Sequence, residues 1–341
     1  MTDRSDSPEP SAAPSTPDQT LAIRDRQRMA DAAELYWVRG LKLEEVGHEL
    51  GMSRSTVSRQ LARARQEGII EFRVHREVSS AATLTSQLGE RFSVIPRIAL
   101  AEDPHDANSR LAAVGHEAAA WIPGFVHPHT TMTVAWGSTI GRLSTYLRQT
   151  PVADTHVVQL HGSGNIPTLD THYVSQILER FGTAFGAAVE YLPVPAFFDS
   201  SQTRRLMWQE KSVHRVLNLR AHSDLLITSV GTPSGDLPGH LYDSGYLRSE
   251  DLVELQREHV IGNLGAIFFR EDGSSDGIAV NNRSTGMPFE QLRRIPIRLL
   301  VAADPAKAQA IGGLLRAGLA THVVFDTATA AEVLALDQAG Q

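Results

Sequence analysis

The chain has 341 residues, 42% hydrophobic and 21% charged, with a formal net charge of -7 and no cysteine. That balance fits a globular protein and excludes a wholly disordered or fibrous chain; the acidic total excludes one that coats nucleic acid or anionic membrane with its whole surface. Without cysteine there is no disulfide framework, thiolate metal site or cysteine nucleophile.

Residues 1–20 are rich in Ser, Pro, Asp and Ala, have almost nothing to bury and read as a disordered tail. They lack the apolar core of a signal peptide, and no apolar run of about 18 residues suits a membrane crossing, so a cytoplasmic location is expected. From Leu21, an apolar stripe of helical period (Ile23, Met29, Ala32, Ala33, Leu35, Tyr36, Val38) runs to Gly40, a helix-terminating glycine. A second helix over Leu43 to Leu50 stops at Gly51, and a third starts at Ser53, whose hydroxyl suits an N-cap. It ends within Arg65 to Gly68. The following IIEFRVH alternates like a strand, which would form a wing. These pieces make residues 21–76 one domain, and residues 77–90, polar and alanine-rich, read as a connecting helix.

Leu43 to Gln60 has the spacing of a helix-turn-helix: Val46 and Leu50 inward on the first helix, Gly47 where the helices cross, Gly51 at the turn, Val57 inward on the second. Val57, Leu61 and Ala64 fall at i, i+4 and i+7. That leaves Ser53, Arg54, Ser55, Thr56, Ser58, Arg59 and Arg63 outward or flanking, residue types that suit base edges and phosphates in a major groove. Between Met52 and Arg76 six arginines (54, 59, 63, 65, 73, 76) stand against two glutamates (67, 71), a local excess of +4 in an acidic chain. Arg73 on the wing would approach the DNA backbone. The partner so implied is double-stranded operator DNA.

Residues 91–341 alternate strand-like and helical runs: TMTVAW then STIGRLSTYLRQ, HVVQLHG, DLLITSVG, IPIRLLVAA then PAKAQAIGGLLRAG, THVVFD then TATAAEVLAL. Such alternation predicts an α/β domain with a largely parallel, Rossmann-like sheet. Several strands end in small turns, at Gly137-Ser138, Gly162-Ser163 and Gly231-Thr232, and such carboxyl ends form the ligand crevice of an open α/β sheet. A glycine turn opening a helix presents unpaired N–H donors to an anion.

The stretch YWVRGLKLEEVGHELGMSRSTVSRQLARARQEGIIEFRV resembles the DNA-binding segment of SorC-type bacterial transcription regulators. VAWGST, VVQLHGSGN, LPVPAFF, DLLITSVGT, SGYLRSEDLVEL, VIGNLGAIFFRED and VAADPAKAQAIGGLLRAGLATHVVFDTATA follow in the family's order, over roughly residues 25 to 335. The resemblance implies a winged helix-turn-helix followed by a sensor domain similar to sugar-phosphate isomerases and glucosamine-6-phosphate deaminases. It also implies a homotetramer and an operator affinity altered by a phosphorylated sugar or polyol. On that basis Gly137, Ser138 and Thr139 would cradle phosphate, Lys307 behind the Asp304-Pro305 helix start would meet a phosphate or hydroxyl, and Gly162, Ser163, Gly231 and Asn263 would line the site. Two positions depart from the family pattern: Asn263, where an acid is usual, and Ala302-Ala303-Asp304, where paired glycines are favoured.

No cofactor, metal or catalytic residue is expected. An isomerase or deaminase needs a base of tuned pKa beside the substrate carbon, and Asn263 counts against it; Asp236, His240, Asp243 and Asp276 remain as replacements. His127 and His129 sit two apart, but no third ligand has metal-site spacing. A structural nucleoid or assembly protein is a third reading, one that would ignore operator sequence and small molecules alike.

Overall fold

The computed structural model describes residues 17–70, 81–164, 171–233, 240–243 and 245–339. The chain divides into two compact units, Met1–Arg76 and Glu77–Gln341.

In the first unit α1 spans Pro17–Ala33, so residues 17–20, expected as tail, are already helical. It continues into one π-helical stretch, Glu34–Val38, and stops before Gly40, which takes φ +71. The next helices are α2 (Leu43–Leu50) and α3 (Arg54–Gln66), joined through Gly51 at φ 62. Their core is Met29, Ala32, Ala33, Val46, Val57, Leu61 and Ala64, so the i, i+4, i+7 stripe of α3 is the buried face. Gly47 is required by contact: a Cβ there would stand 2.7 Å from the Met52 carbonyl oxygen. The strand expected from Ile69 does not begin there. The Ile69 and Ile70 N–H groups both return to the Ala64 carbonyl and their side chains pack on the same core, closing the end of α3. The rest of the expected wing, Arg73 and Arg76 included, lies outside the described residues.

Among the described residues the second unit carries ten strands: β1 (Ile95–Ala99), β2 (Thr131–Val134), β3 (His156–Gln159), β4 (Ala188–Glu190), β5 (Leu225–Thr228), β6 (Val230–Gly231), β7 (Gly262–Leu264), β8 (Ile267–Phe269), β9 (Ile297–Ala302) and β10 (His322–Asp326). Seven form one sheet in the order β1-β10-β9-β5-β2-β3-β4, with every neighbouring pair parallel. A sheet covered by helices on both faces needs strands apolar on both sides, and Val157, Val158, Leu225, Leu226, Ile227, Val323 and Val324 are wholly buried. β6, β7 and β8 make a small antiparallel sheet beside it.

The chain builds β2, β3 and β4 outward in one direction, then returns to place β5 on the other side of β2. Connections leaving β2 and β5 therefore diverge and leave a crevice at their carboxyl ends. The segment after Glu77 does more than connect. From Ala81 it forms α4 (Ala81–Phe92), whose Leu84 and Leu88 are buried in the core of this unit. Arg91 of α4 donates to Asp337 of the last helix (Thr327–Ala339), and Asp337 also accepts from Arg316 at 3.1 Å.

Candidate functional site

Two surfaces carry chemistry, one in each unit. At the start of α3 the Ser53 hydroxyl accepts the Thr56 N–H, and it lies 3.0 Å from the Ser55 hydroxyl and 2.8 Å from that of Thr56. These residues thus build the helix terminus as well as face outward. Ser53, Arg54, Ser55, Ser58, Arg59 and Arg63 are exposed and Thr56 is half-buried. Their guanidinium groups differ. Arg54 lies 3.1 Å from Glu44, Arg63 lies 2.7 Å from Asp25 and 2.8 Å from Glu67, and Arg59 has no ion-pair partner among the described residues. Exposed pairs of this kind are weak, so a phosphate can displace them. Gln60, unusual at its position for a helix-turn-helix, is half-buried and donates to Asp25 of α1 at 3.3 Å.

In the second unit a cavity opens where the crevice between β2 and β5 is expected. The β2 connection supplies Trp136, Gly137, Ser138 and Thr139; the β3 connection supplies His161; the β5 connection supplies Ser229 and Gly231; β7 supplies Asn263; and the turn after β9 supplies Lys307. Gly137 precedes the Ser138–Ser144 helix at φ 139, a conformation side-chain-bearing residues rarely adopt, and no side chain caps that helix start. Lys307 ends the one-turn segment Pro305–Lys307 that Asp304 caps by accepting the Ala306 N–H. That carboxylate thereby satisfies a backbone donor at the start of its own segment.

The ammonium of Lys307 is buried at 4% exposure; burial pushes its pKa down, and Asp304 opposes the shift. His161 is buried, and burial pushes its pKa to about 4, with Arg220 acting in the same direction. The imidazole is therefore neutral at ordinary pH. Its Nδ1 lies 3.2 Å from the Gly162 carbonyl, a contact that needs the proton on Nδ1 and leaves Nε2 as an acceptor. Trp136 packs beside it at 4.8 Å between ring centroids and donates its indole N–H to the His161 carbonyl. Arg220, also buried, donates to the Leu160 and Thr285 carbonyls and has no carboxylate partner among the described residues; burial lowers its pKa to about 9, still cationic at neutral pH.

Asn263 faces Gly231 across the β6–β7 pair. Its Nδ2 has no hydrogen-bond partner, nor has the Ser229 hydroxyl, and both atoms are buried. The Tyr242 hydroxyl faces the Asn263 amide without completing a bond, and burial pushes its pKa up.

Of the eight effector residues expected from the sequence, Gly137, Ser138, Thr139, Gly231, Asn263 and Lys307 share this cavity. Gly162 and Ser163 do not line it. Gly162 is a tight crossing: its N–H donates to the Thr285 hydroxyl, and a Cβ there would stand 2.2 Å from the Val194 carbonyl oxygen. Ser163 lines a neighbouring groove with Gln159, Tyr191 and Pro193. His161, Trp136 and Ser229 were not singled out from the sequence, although His161 and Ser229 stand at strand ends where such residues gather.

Asp276, held as a replacement base, is exposed and outside the cavity. Asp236 and the side chains of His240 and Asp243 lie outside the described residues. His129 approaches Asp154 at 3.7 Å on the surface, and no group of three metal-ligating side chains occurs among the described residues. Nor is any described helix long and apolar enough to cross a membrane.

Comparison with known proteins finds a match for each unit. Residues 76–335 match the family model "Putative sugar-binding domain", and residues 25–67 match that of sigma-70 region 4. The deoxyribonucleoside regulator of Bacillus subtilis is 25% identical over 312 residues, covering 90% of this chain and 97% of that protein. The crystal structure of "a domain of a possible sugar-binding transcriptional regulator" from Arthrobacter aurescens TC1 is 39% identical, covers 76% of this chain and 99% of that one, and superposes with a TM-score of 0.72. The full-length sorbitol operon regulator SorC from Klebsiella pneumoniae, 21% identical with a TM-score of 0.67, covers 91% of this chain and 99% of its own and shares the fold.

Proposed function

Because the chain belongs to the SorC-type family of sugar-binding transcriptional regulators, we propose that it governs a carbohydrate or polyol catabolic operon and that a phosphorylated sugar or polyol is its effector. The observation that carries this reading is the single cavity in which the Gly137-Ser138-Thr139 turn and the buried Lys307 meet while no acidic side chain is among the described lining residues. Uncapped N–H groups at a helix start and a desolvated ammonium both favour an anion. The buried guanidinium of Arg220, hydrogen-bonded behind His161 at the Leu160 carbonyl, adds to the same field.

Regulation then follows from a population shift. An effector that prefers one arrangement of the sensor units changes the spacing of the paired DNA-reading helices, by a coupling of typically ~1–3 kcal/mol. The resemblance also supports a cytoplasmic homotetramer, which light scattering on the purified protein would test. An enzymatic role has less support, since Asn263 cannot act as the carboxylate base that isomerisation requires.

The test is an operator gel shift of the full chain with and without a panel of phosphorylated sugars and polyols. At least one should alter operator affinity. Lys307→Ala should weaken its effect by about tenfold or more, the loss expected on removing one charge-assisted contact, while DNA binding without effector is unchanged. Operator affinity indifferent to the whole panel would count against a phosphorylated effector.

A further inference from the structure

We infer that Asn263 and Ser229 form a second recognition point in the cavity, a pair of hydrogen-bond donors that selects a ligand bearing a carboxylate or carbonyl oxygen over one bearing only hydroxyls there. This rests on the phosphate reading above and adds the chemistry of the rest of the ligand.

Two buried polar atoms stand without a completed hydrogen bond beside the cavity. Buried polar groups are nearly always hydrogen-bonded, because leaving one unpaired forfeits its solvation. The Asn263 Nδ2 and the Ser229 Oγ are both buried and neither completes a hydrogen bond, although the Tyr242 hydroxyl faces the first, and both residues line the cavity. Asn263 is paired with Gly231, and Ser229 lies two residues before Gly231 in the connection from β5 into β6, so both residues come to the same wall of the cavity. Gly231 provides the room: a Cβ there would stand 2.6 Å from Asn263 Nδ2. The donor is thus accommodated by the absence of a side chain opposite it.

What would satisfy this pair is set by donor and acceptor count. An amide NH2 can only donate and a serine hydroxyl can donate, so the two together suit oxygen lone pairs. A carboxylate accepts from both at once, with charge assistance, and a carbonyl oxygen has two lone pairs for the same purpose. A ligand hydroxyl brings a proton that needs its own acceptor, and the described lining offers neutral acceptors such as His161 Nε2 but no carboxylate to take it. Lys307 and the neutral His161 are the ionisable side chains among them, so the cavity carries no negative charge that would repel an acid.

The experiment measures binding of three hexose derivatives to the full chain by calorimetry. Gluconate 6-phosphate, fructose 6-phosphate and sorbitol 6-phosphate share a phosphate and a carbon count and offer a carboxylate, a carbonyl present only in the minor open-chain form, or hydroxyls alone. The expected order is acid first, ketose second and polyol weakest, with about tenfold or more between acid and polyol, because a site built from buried donors rejects a ligand that leaves them unpaired. Asn263→Asp, which replaces donor by acceptor and adds charge, should weaken the acid by about tenfold or more and narrow or reverse that ratio; Ser229→Ala should lower acid affinity with little change for the polyol. The thermal transition of the second unit serves as the folding control for both variants. Equal binding of the three phosphates, preference for the polyol, or a ratio unchanged in both variants overturns the donor-pair assignment alone. If none of the three binds and unphosphorylated sugars do, the phosphate reading falls and takes this inference with it.

Discussion

Gly231 and Asn263 occupy one cross-strand position, and the space a Cβ would fill at the first is already taken by the amide of the second, at 2.6 Å. Gly231→Ala therefore cannot be accommodated without swinging Asn263 out of the cavity. Effector affinity should fall by about tenfold, in line with losing one buried hydrogen bond, while operator binding in the absence of effector is retained. Calorimetry and gel shifts on the same preparation would check both halves; undiminished effector affinity would mean that Asn263 does not contact the ligand.

Arg59 and Arg63 lie one turn apart on α3, yet only Arg63 is tied to carboxylates, at Asp25 and Glu67. Arg59→Ala should abolish measurable operator binding or, where the contact is to phosphate alone, weaken it across sequences and reduce the slope of log affinity against log salt by about 1. Arg63→Ala should have the smaller effect on DNA and leave Asp25 with Gln60 as its remaining described hydrogen-bond donor. Salt titrations of both variants separate the two roles, and equal slopes would refute the distinction.

Gly47 is fixed by the close approach of Met52, whose carbonyl oxygen would be 2.7 Å from any Cβ. Gly47→Val should destabilise the first unit by about 1–3 kcal/mol through overpacking against backbone. The thermal transition of that unit should drop and operator binding should be lost, with effector affinity kept, since the cavity belongs to the other unit. Loss of effector binding as well would show that the two units fail together.

His161 gives a pH signature. Its pKa in the folded protein is about 4 against an ordinary value of 6.5. Between those values the unfolded chain takes up a proton that the folded chain refuses, so stability falls as pH is lowered from 6.5 to 4 and levels off below. The full drop is about 3 kcal/mol by linkage. His161→Gln removes that contribution, so the variant should gain on the parent as the pH falls through this window. Chemical denaturation of both at pH 7 and pH 4.5 would measure it, and a constant difference between them would contradict a buried neutral imidazole.

Much of the sensor unit was readable because a doubly covered parallel strand must be apolar on both sides, as HVVQ, LLIT and HVVF are. The recognition helix was readable for the complementary reason, since Val57, Leu61 and Ala64 mark the inner face of α3 and so define the outer one. Elements of the cavity were harder to see. β7 and β8 have three residues each, too short for any period to register, and yet they carry Asn263 and oppose Gly231. β1 contains Pro96, tolerated because the strand is at an edge of the sheet, and a proline argues against a strand when pairing is unknown. Gly162 misled because glycine marks both loose turns and tight crossings, and only the position of Val194 distinguishes them. Of the two partners of Arg63, Glu67 stands at the i+4 spacing that a sequence shows, whereas Asp25 was invisible because it comes from the middle of another helix, α1.

One carboxylate near the end of the chain fastens two distant parts of it together. Asp337 grips Arg91 on the helix that the chain enters after leaving the first unit, and Arg316 at the close of the helix that begins beside Lys307. A tilt started at the metabolite end would be felt at the entry helix as a pull on a shared pair of oxygens. Asp337→Asn should therefore give a regulator that still holds its metabolite and still recognises its operator but no longer passes news between them, seen as one operator affinity at every effector concentration.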